Sequence, residues 1–477
     1  MNDRLLRLYH RLPSPLRALP VYLRGLYLRQ WRFGPETELL VQQAQERERW
    51  SKERLWSWQQ ERLAIILHRA ATRVPFYRDQ WAMRRKAGDR ASWEYLENWP
   101  VLEKENVRQH AHALIADDCD IRKLFHDHTS GTTGKSLDLW ASRDTMRRLY
   151  ALFEARGRLR YGVSRHDRWA MVGGQLVTPV SVRKPPFWVW NPALNQLYMS
   201  SYHLAPDLIP HYLDAIAKYK ITNLIGYTSS LYTLAQEALR VGRTDLRMKV
   251  MITNAEPVFD YQRQAIAEAF QCPVRETYGM AEAVTAATEC EHGALHLWPE
   301  LGWMEVLEGN RPLKPGLSGD LVATGLLNLE MPLIRYRIGD RGSLADYYSQ
   351  CICGRNLPML ASVEGRADDV LYTADGRRIG RLDPVFKAQL PIREAQIVQE
   401  AFDLVRIRYV PTEQWRPTDG LDLTRRLRER MGAVEVVLEP LDEIPRTANG
   451  KFRAVICRIA NETPEKLYTS ANKNHAI

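Results

Sequence analysis

The chain has 477 residues, of which 45% are hydrophobic, and a net charge of +10. This length favours two or more domains with a substantial core, and no low-complexity tract is present. No apolar run is long enough to span a membrane, and arginines and prolines interrupt the first 32 residues, where a signal peptide is apolar. We therefore expect a cytoplasmic protein. The positive charge is scattered and no nucleic-acid-binding motif accompanies it, so nucleic acid is not an expected partner.

The N-terminal segment is basic and apolar at once. Residues 4–34 contain seven arginines interleaved with Leu, Tyr and Trp, and no acid lies between Asp3 and Glu36. Such a segment fits a helical pair packed on the main domain, and it also fits peripheral contact with an anionic membrane. Its three prolines interrupt any long amphipathic helix, which favours packing. We expect residues 1–100 to form a helical segment packed on the main domain.

The middle of the chain alternates strand and helix patterns. Residues 36–85 have apolar residues at helical spacing, and residues 120–360 alternate short β-branched runs with helical stretches. The clearest pairs are a strand at 221–225 with a helix at 229–240, and a strand at 248–253 with a helix at 261–270. This alternation predicts an α/β sheet with crossover helices.

A last segment of about 100 residues differs in pattern from the rest. It predicts, in order, a strand at 396–409, a helix at 421–431 and a strand at 434–439. The expected fold class is therefore α/β, with a large N-terminal domain of mixed sheets and helices and a small α+β C-terminal domain. We place the large domain at 101–367 and the small one at 368–477.

One loop concentrates hydroxyls, glycines and a lysine. It consists of Thr129, Ser130, Gly131, Thr132, Thr133, Gly134 and Lys135. Hydroxyl and amide donors with a nearby cation suit phosphate oxygens, and glycines let the backbone approach an anion closely. A Walker A loop is excluded because Thr129 stands where that motif requires its first glycine. A loop of this composition is most often only a turn, so its function depends on the motifs that follow.

Four further motifs follow in order. They are Tyr278-Gly-Met-Ala-Glu282, Arg335-Tyr-Arg-Ile-Gly-Asp340, Gly365-Arg-Ala-Asp-Asp369 and Pro445-Arg-Thr-Ala-Asn-Gly-Lys451. This ordered set resembles the adenylate-forming superfamily of acyl-CoA synthetases, luciferases and peptide-synthetase adenylation domains. Segments outside these motifs resemble the phenylacetate-coenzyme A ligase family, and within it the capsular polysaccharide biosynthesis (CapK-like) branch. These segments lie at 169–178, 185–188, 199–203, 226–232, 253–256 and 450–453.

The resemblance implies an AMP-forming acid–thiol ligase. ATP would activate a carboxylic acid, aryl or aryl-acetic, as an acyl-adenylate, and coenzyme A would accept the acyl group, with a role in polysaccharide biosynthesis implied by the CapK-like branch. One alternative transfers the acyl group to an amine or hydroxyl of a saccharide or carrier. Another is a non-catalytic adenylate-binding scaffold, which the intact Lys451, Asp340 and Glu282 disfavour. No pattern identifies the acid or sets the oligomeric state, for which a homodimer is the default.

The resemblance also implies residue roles. The loop at 129–135 would hold the departing pyrophosphate, and Glu282 would bind Mg²⁺ through a carboxylate oxygen. Lys451 would reach the reacting carboxylate and α-phosphate oxygens as the catalytic cation of a mobile lid. The hinge of that lid would be Asp368. The remaining nucleotide contacts would come from Asn254, Ala255 and Glu256 beside the adenine, Tyr278 and Gly279 against its face, Asp340 at the ribose, and Arg366.

Two residues depart from the superfamily pattern. Ala281 replaces the threonine usual before the acid, whose hydroxyl contacts the α-phosphate, and Ser136 replaces a common proline after the loop lysine. The first change removes one nucleotide contact or leaves it to another residue.

Six cysteines in a cytoplasmic chain indicate reduced thiols. A Cys₃His site for structural zinc is predicted from Cys290, His296, Cys351 and Cys353, with His292 as the competing histidine. The alternative is a set of buried structural thiols without metal. The other three cysteines have no such companions.

Aromatic residues in the middle segment suit either an aryl or a sugar pocket, or plain core packing. They are Trp169, Trp188, Trp190, Tyr198, Tyr202 and Tyr227.

Overall fold

The computed structural model of the chain describes most of the sequence. The described residues are 3–128, 137–174, 177–179, 181–205, 207–256, 258, 260–363, 371–373, 377–379, 385, 390–442, 444 and 455–459. Within these ranges, no helix combines the length and the apolar composition needed to cross a bilayer.

Eleven α-helices lie in the described part of the chain. They are α1 (Asp3–Arg11), α2 (Ala18–Arg32), α3 (Thr37–Arg47), α4 (Lys52–Arg73), α5 (Pro75–Lys86), α6 (Lys104–Gln109), α7 (Arg143–Gly157), α8 (Ile209–Lys218), α9 (Thr228–Arg240), α10 (Asp260–Phe270) and α11 (Pro417–Met431).

The strands of the first two thirds of the chain are β1 (Phe125–His128), β2 (Asp138–Ala141), β3 (Trp169–Gly173), β4 (Trp188–Asn191), β5 (Gln196–Ser200), β6 (Asn223–Tyr227), β7 (Val250–Asn254), β8 (Val274–Gly279), β9 (Ala286–Glu289), β10 (Leu295–Leu297) and β11 (Gly302–Glu308). The later strands are β12 (Arg311–Pro312), β13 (Gly319–Gly325), β14 (Tyr336–Leu344), β15 (Met359–Val363), β16 (Leu371–Tyr372), β17 (Arg378–Ile379), β18 (Ile392–Gln399), β19 (Leu404–Pro411), β20 (Glu435–Pro440) and β21 (Val455–Cys457).

Thirteen strands form one sheet whose halves are built differently. Its order is β12-β11-β13-β14-β15-β10-β9-β8-β7-β6-β3-β5-β4. Strands β5, β3, β6, β7 and β8 run parallel to one another. In the rest of the sheet order, from β8 across to β12, neighbouring strands pair antiparallel. Helices α8, α9 and α10 connect the parallel strands, because a parallel connection needs a crossover. The predicted alternation of strands and helices, with its α/β sheet, is confirmed.

The parallel strands end together at one edge. Gly226 pairs with Thr253, and Thr253 with Glu276, so β6, β7 and β8 end nearly level. The motif residues Asn254 and Gly279 are the last residues of β7 and β8. In open α/β sheets, ligands bind outside the carboxyl ends of the strands. The candidate site is therefore expected at this edge.

Apolar packing divides the chain into separate cores. The largest core joins α4 and α5 to the antiparallel half of the sheet, with Leu67 and Tyr336 among its fully buried members. A second core underlies the parallel half, and a third lies wholly within residues 371–434. Helices α4 and α5 therefore pack on the main body, while the N-terminal segment 1–100 and the other two domain ranges stay predictions.

The C-terminal part corrects one prediction. The single strand predicted at 396–409 is wrong: β18 and β19 are two antiparallel strands in which Ile397 faces Ile407. Period-two apolar alternation continues through both strands, and no glycine, proline or asparagine marks the turn between them, so the pattern hides the reversal. The predicted helix at 421–431 and strand at 434–439 correspond to α11 and β20.

The N-terminal helices contact the main body through one face of α2. Gly25 lies so close to Asn191 that a Cβ on the glycine would be 2.2 Å from the amide oxygen. Arg17 donates a hydrogen bond to Thr178 Oγ1 at 2.9 Å. Pro20 lies in the first turn of α2, where a missing N–H removes no helical hydrogen bond, so this proline does not interrupt the helix.

Candidate active site

The end of β7 carries a buried acceptor. Asn254 Oδ1 is buried and has no hydrogen-bond partner among the described residues. Ala255 follows with φ of +64°, a left-handed conformation that costs a non-glycine residue about 1–2 kcal/mol. Thr228 Oγ1 donates to the Glu256 carbonyl at 3.2 Å and holds this turn. Because a buried acceptor without a donor costs about 1–3 kcal/mol, Asn254 suits a ligand that brings an N–H group.

Two residues predicted to bind the nucleotide contact each other. Tyr278 is the next-to-last residue of β8, before Gly279, and Asp340 lies in β14. The tyrosine Oη donates to Asp340 Oδ2 at 2.9 Å. An ionised carboxylate accepts several hydrogen bonds, so Asp340 keeps capacity for further donors. The contact joins the carboxyl edge of the parallel strands to the antiparallel half of the sheet.

Glu282 is a buried carboxylate held by two groups. Its Oε1 accepts a hydrogen bond from Tyr336 Oη at 2.7 Å and lies 3.3 Å from Lys104 Nζ. Burial raises the pKa of Glu282, but the Lys104 charge and the Tyr336 hydroxyl outweigh it and leave this pKa below the ordinary value. The carboxylate is therefore ionised at neutral pH, which is the form that binds a hard cation.

Sequence reasoning missed both partners of Glu282. Tyr336 lies inside the motif from Arg335 to Asp340, so the sequence marked this residue but did not indicate that it contacts Glu282. Lys104 is the first residue of α6 and lies in no motif. The two meet Glu282 because the segment before α6 runs beside β14, with Leu102 bridged to Tyr336.

The arginine of the same motif has a structural role. Arg335 is buried and binds both oxygens of Glu305, each at 3.1 Å. It also donates to the Trp99 carbonyl at 2.7 Å. These bonds tie the start of β14 to β11 and to the segment before α6. Arg335 thereby supports the backbone that carries Tyr336 and Asp340.

A histidine-rich hairpin flanks the predicted phosphate loop. Strands β1 and β2 pair antiparallel, with His128 facing Asp138. His126 Nε2 and His128 Nδ1 lie 2.9 and 2.8 Å from the same Asp138 oxygen. The His126 ring stacks on Trp140, with ring centroids 4.7 Å apart. These contacts fix both strands from which residues 129–136 extend.

Several predicted site residues lie outside the described residues. They are Thr129, Ser130, Gly131, Thr132, Thr133, Gly134, Lys135, Arg366, Asp368 and Lys451. Their roles stay predictions.

Two tyrosines enclose a glycine at the carboxyl edge. Tyr202 Oη donates to the Gly174 carbonyl at 3.2 Å, and the Gly174 N–H donates to Tyr227 Oη at 3.3 Å. A Cβ at Gly174 would lie 3.0 and 3.1 Å from the two hydroxyls, so a larger residue would require both tyrosines to shift. The backbone after β3 therefore meets an aromatic wall, which we call the tyrosine wall (Tyr202 and Tyr227).

The C-terminal part contacts the tyrosine wall. Arg377 donates from Nη1 to the Tyr202 carbonyl and, at 3.0 Å, to the Arg430 carbonyl. The Arg430 guanidinium lies 5.4 Å from the centroid of the Tyr202 ring. Buried arginines therefore join the C-terminal part to one boundary of the candidate site.

The other predicted pocket aromatics pack elsewhere. Trp169 begins β3 and donates its indole N–H to the Leu194 carbonyl at 3.0 Å. Trp190 stacks on Tyr219 with ring centroids 5.5 Å apart. Trp188 contacts Tyr212 edge-on, and burial raises the pKa of Tyr198. For these four aromatics, core packing is the better interpretation.

The cysteine cluster converges as predicted. The ligand atoms of Cys290, His296, Cys351 and Cys353 all lie within 4.8 Å of one another. The sulfurs of Cys290 and Cys351 are 3.7 Å apart, and tetrahedral zinc with Zn–S of about 2.3 Å separates two sulfurs by about 3.8 Å. Cys353 Sγ lies 3.3 Å from His296 Nε2. His292, the competing histidine, contributes a backbone N–H to Cys290 at 3.4 Å.

The imidazole of this cluster is in the form that binds metal. Burial, and then the charge of Arg160, lower the pKa of His296 to about 4. The ring is therefore neutral at neutral pH. A neutral imidazole and three thiols form a donor set that fits zinc.

A carboxyl group beside the site predicts a pH effect. Burial, and then the charge of Glu289, raise the pKa of Glu276 in β8 to about 7, while Arg263 lowers it. The folded state therefore holds a proton that the unfolded state releases near pH 4.5, so stability falls as pH rises from there to about 7.

We expect Glu276→Gln to raise the free energy of unfolding at pH 8 by about 1–3 kcal/mol and to change it little at pH 5. Urea unfolding at both pH values measures this difference. Glu268→Gln, a change at an exposed residue of α10, is the control. Equal changes at the two pH values would contradict the assignment.

Comparisons with known proteins were made on sequence and on fold. Residues 371–458 match the family model "CapK C-terminal domain". The chain is 25% identical to Protein CapK of Staphylococcus aureus over 395 residues, which cover 80% of this chain and 85% of that protein. It is 24% identical over 461 residues to a phenylacetate-coenzyme A ligase of Thermus thermophilus, covering 85% and 97%.

The fold resembles that of a solved ligase. The crystal structure of 2-hydroxyisobutyryl-CoA ligase, in complex with 2-HIB-AMP and CoA in the thioesterification state, matches with a TM-score of 0.55 and 21% identity, covering 90% of this chain and 93% of that chain. The resemblance inferred from the motifs, to adenylate-forming ligases and to the phenylacetate-coenzyme A ligase and CapK branch, is confirmed. The expected fold class is confirmed as well.

Proposed function

Because the chain is a relative of CapK and of phenylacetate-coenzyme A ligases and has the fold of adenylate-forming ligases, we propose that it is an ATP-dependent acid–thiol ligase. In this proposal, a carboxylic acid attacks the α-phosphate of ATP, pyrophosphate leaves, and coenzyme A takes the acyl group from the acyl-adenylate. The observation that carries the proposal is a double link between the end of β8 and β14. Tyr278 bonds to Asp340, and Glu282 bonds to Tyr336.

The described residues suit a nucleotide. Within the part of the chain that the structure describes, the buried Asn254 oxygen has no donor, and the adenine amino group would bring one. Tyr278 offers a ring face, and base stacking on an aromatic side chain contributes about 1–3 kcal/mol per base. Asp340, already bonded to Tyr278, accepts the ribose hydroxyls with its remaining lone pairs. Asn254, Tyr278 and Asp340 therefore each have chemistry that suits one part of a nucleotide.

In this proposal, the buried Glu282 carboxylate binds the cation that offsets the negative charge of the phosphates. Magnesium, when bound, offsets the negative charge of the phosphates. Glu282 would hold it, because its carboxylate is ionised and buried. Lys104 and Tyr336 fix the carboxylate, so little reorganisation is needed when the cation binds. The loop at 129–135 and Lys451 supply the donors to pyrophosphate and to the reacting oxygens.

The acid is proposed to bind against the tyrosine wall. The buried Tyr202 and the half-buried Tyr227 lie at the edge where the nucleotide residues lie, and aromatic side chains suit an aryl or aryl-acetic acid. A role in polysaccharide biosynthesis is part of the proposal because the chain resembles the CapK-like branch.

Pyrophosphate exchange with a panel of carboxylic acids tests the adenylation step. We expect exchange with at least one aryl acid, and no exchange with any acid would favour the adenylate-binding scaffold. Product analysis with and without coenzyme A then tests the acceptor. Acyl transfer to a saccharide amine or hydroxyl in the absence of coenzyme A would replace the thiol acceptor in the proposal.

We also propose that the cysteine cluster binds one structural zinc ion. The ion would link β10 to the loop before β15, since His296 lies in β10 and Cys351 and Cys353 precede β15. Elemental analysis of the purified protein is expected to find about one zinc per chain.

Cys353→Ser is expected to remove the zinc and to lower the melting temperature by about 5 °C or more, because metal binding adds to folding free energy. Cys119→Ser, outside the cluster, is the matched control and should keep the zinc. A wild-type protein with no zinc, or a Cys353 variant that keeps it, would contradict the site.

A further inference from the structure

Exposed apolar side chains concentrate at the N-terminus. Nineteen large hydrophobic residues of the described chain are strongly exposed, and six of them lie within one stretch of 20 residues. They are Leu8 (59% exposed), Leu16 (58%), Leu19 (63%), Tyr22 (38%), Leu23 (56%) and Tyr27 (43%). Exposed apolar patches on soluble domains mark interaction surfaces when they are contiguous.

Four of the six residues lie in α2 and share one of its faces. In α2, Leu19, Leu23 and Tyr27 are spaced four residues apart, so they lie along one face of the helix. The opposite face of α2 packs on the main body, because Gly25 is buried against Asn191. The exposure of these side chains is therefore not the result of α2 packing loosely on the main body. We call the four residues of this face, together with the exposed Leu8 and Leu16 that precede α2, the apolar stripe (Leu8, Leu16, Leu19, Tyr22, Leu23 and Tyr27).

Positive charge borders the apolar stripe. Arg7, Arg11, Arg24 and Arg29 are exposed, and within the described residues no ion pair joins any of them to an acid. Residues 4–34 hold seven arginines and no acid. A helix with leucines and tyrosines on one face and arginines beside them matches the composition of helices that lie in the interface of anionic bilayers.

We propose that the apolar stripe and its arginines dock this protein on an anionic lipid bilayer. The leucines enter the boundary between headgroups and acyl chains, and the arginines bind lipid phosphates. Leucine side chains disfavour a nucleic acid, which offers phosphates but no apolar phase. A second copy is disfavoured because two strongly basic faces would repel each other.

The surface would be coupled to the candidate site. Trp31, near the end of α2, contacts Phe125 of β1 with ring centroids 5.5 Å apart. Arg143, the first residue of α7, lies 4.9 Å from the centroid of the Trp31 ring. The helix proposed to lie on the bilayer therefore contacts the hairpin from which the predicted phosphate loop extends. The docking proposal does not depend on the proposed reaction.

Vesicle sedimentation of the full chain tests docking. We expect binding to phosphatidylcholine vesicles that contain about 30% phosphatidylglycerol, little binding to pure phosphatidylcholine, and loss of binding as salt rises from 0.1 to 0.5 M. Leu19→Ser combined with Leu23→Ser should lower the bound fraction about tenfold. Arg24→Gln combined with Arg29→Gln should lower it and flatten its salt dependence.

Leu317→Ser combined with Leu421→Ser is the matched control, since these leucines are 53% and 71% exposed elsewhere on the molecule. This control should bind vesicles like the wild type. All variants should keep the wild-type circular dichroism and melting temperature. No binding to anionic vesicles, or equal loss in the control, would overturn the proposal. So would a dimer in sedimentation velocity that only the Leu19/Leu23 variant loses, because the stripe would then belong to a second copy.

Discussion

Glu282→Gln is expected to lower the rate of acyl-adenylate formation about 10²–10³-fold, as measured by pyrophosphate exchange. The substitution keeps the shape of the side chain and removes the negative charge that we propose binds magnesium. It also leaves the Lys104 ammonium, 3.3 Å away in the wild type, without its carboxylate. The magnesium concentration for half-maximal rate should rise, because a neutral amide is a weaker ligand for a hard cation.

Tyr336→Phe is the graded companion of this change. It removes one hydrogen bond to Oε1, and a bond to a charged group contributes about 1.5 kcal/mol, so we expect about a tenfold loss. The hydroxyl helps to hold the pKa of Glu282 below its ordinary value, so the acid limb of the pH–rate profile should move to higher pH. A folded Glu282→Gln protein with wild-type exchange would exclude Glu282 from the reaction.

The edge position of the motif residues could be predicted from the sequence. The β-branched run before Asn254 predicts a buried strand, and polar residues that follow parallel strands gather at one edge. The sequence therefore located β7 and the predicted nucleotide residue Asn254 at its end, whereas the mostly polar residues before Tyr278 gave no comparable signal for β8. His296 could also be proposed, although only folding distinguished it from His292.

Other parts of the site depend on tertiary contacts that no local pattern encodes. Lys104 reaches Glu282 because the strand-like residues before α6 run beside β14, far along the chain. Arg377 and Arg430 reach Tyr202 only because a separate core places them on the main body. Periodicity reports which face of an element is apolar, but it does not report which distant element covers that face.

Lys451→Ala is expected to separate the two half-reactions. Acyl-adenylate formation should fall about 10²–10³-fold, since one pre-organised cation near the reacting oxygens is lost. Thioester formation from supplied acyl-adenylate and coenzyme A should change less than about twofold, because the proposed lid moves this lysine away for that step. In the sequence, Lys451 lies between the buried Ile444 and β21, which pairs with β18.

Lys466→Ala, further along the same C-terminal segment, is the matched control and should leave both half-reactions near the wild-type rate. The acid for these assays is the one with the fastest pyrophosphate exchange in the panel. If Lys451→Ala slowed both half-reactions equally, the lysine would act in a step common to both, and the lid would not alternate. If it slowed neither, the cation that stabilises the adenylation transition state would have to come from the large domain, where Lys104 is already paired with Glu282.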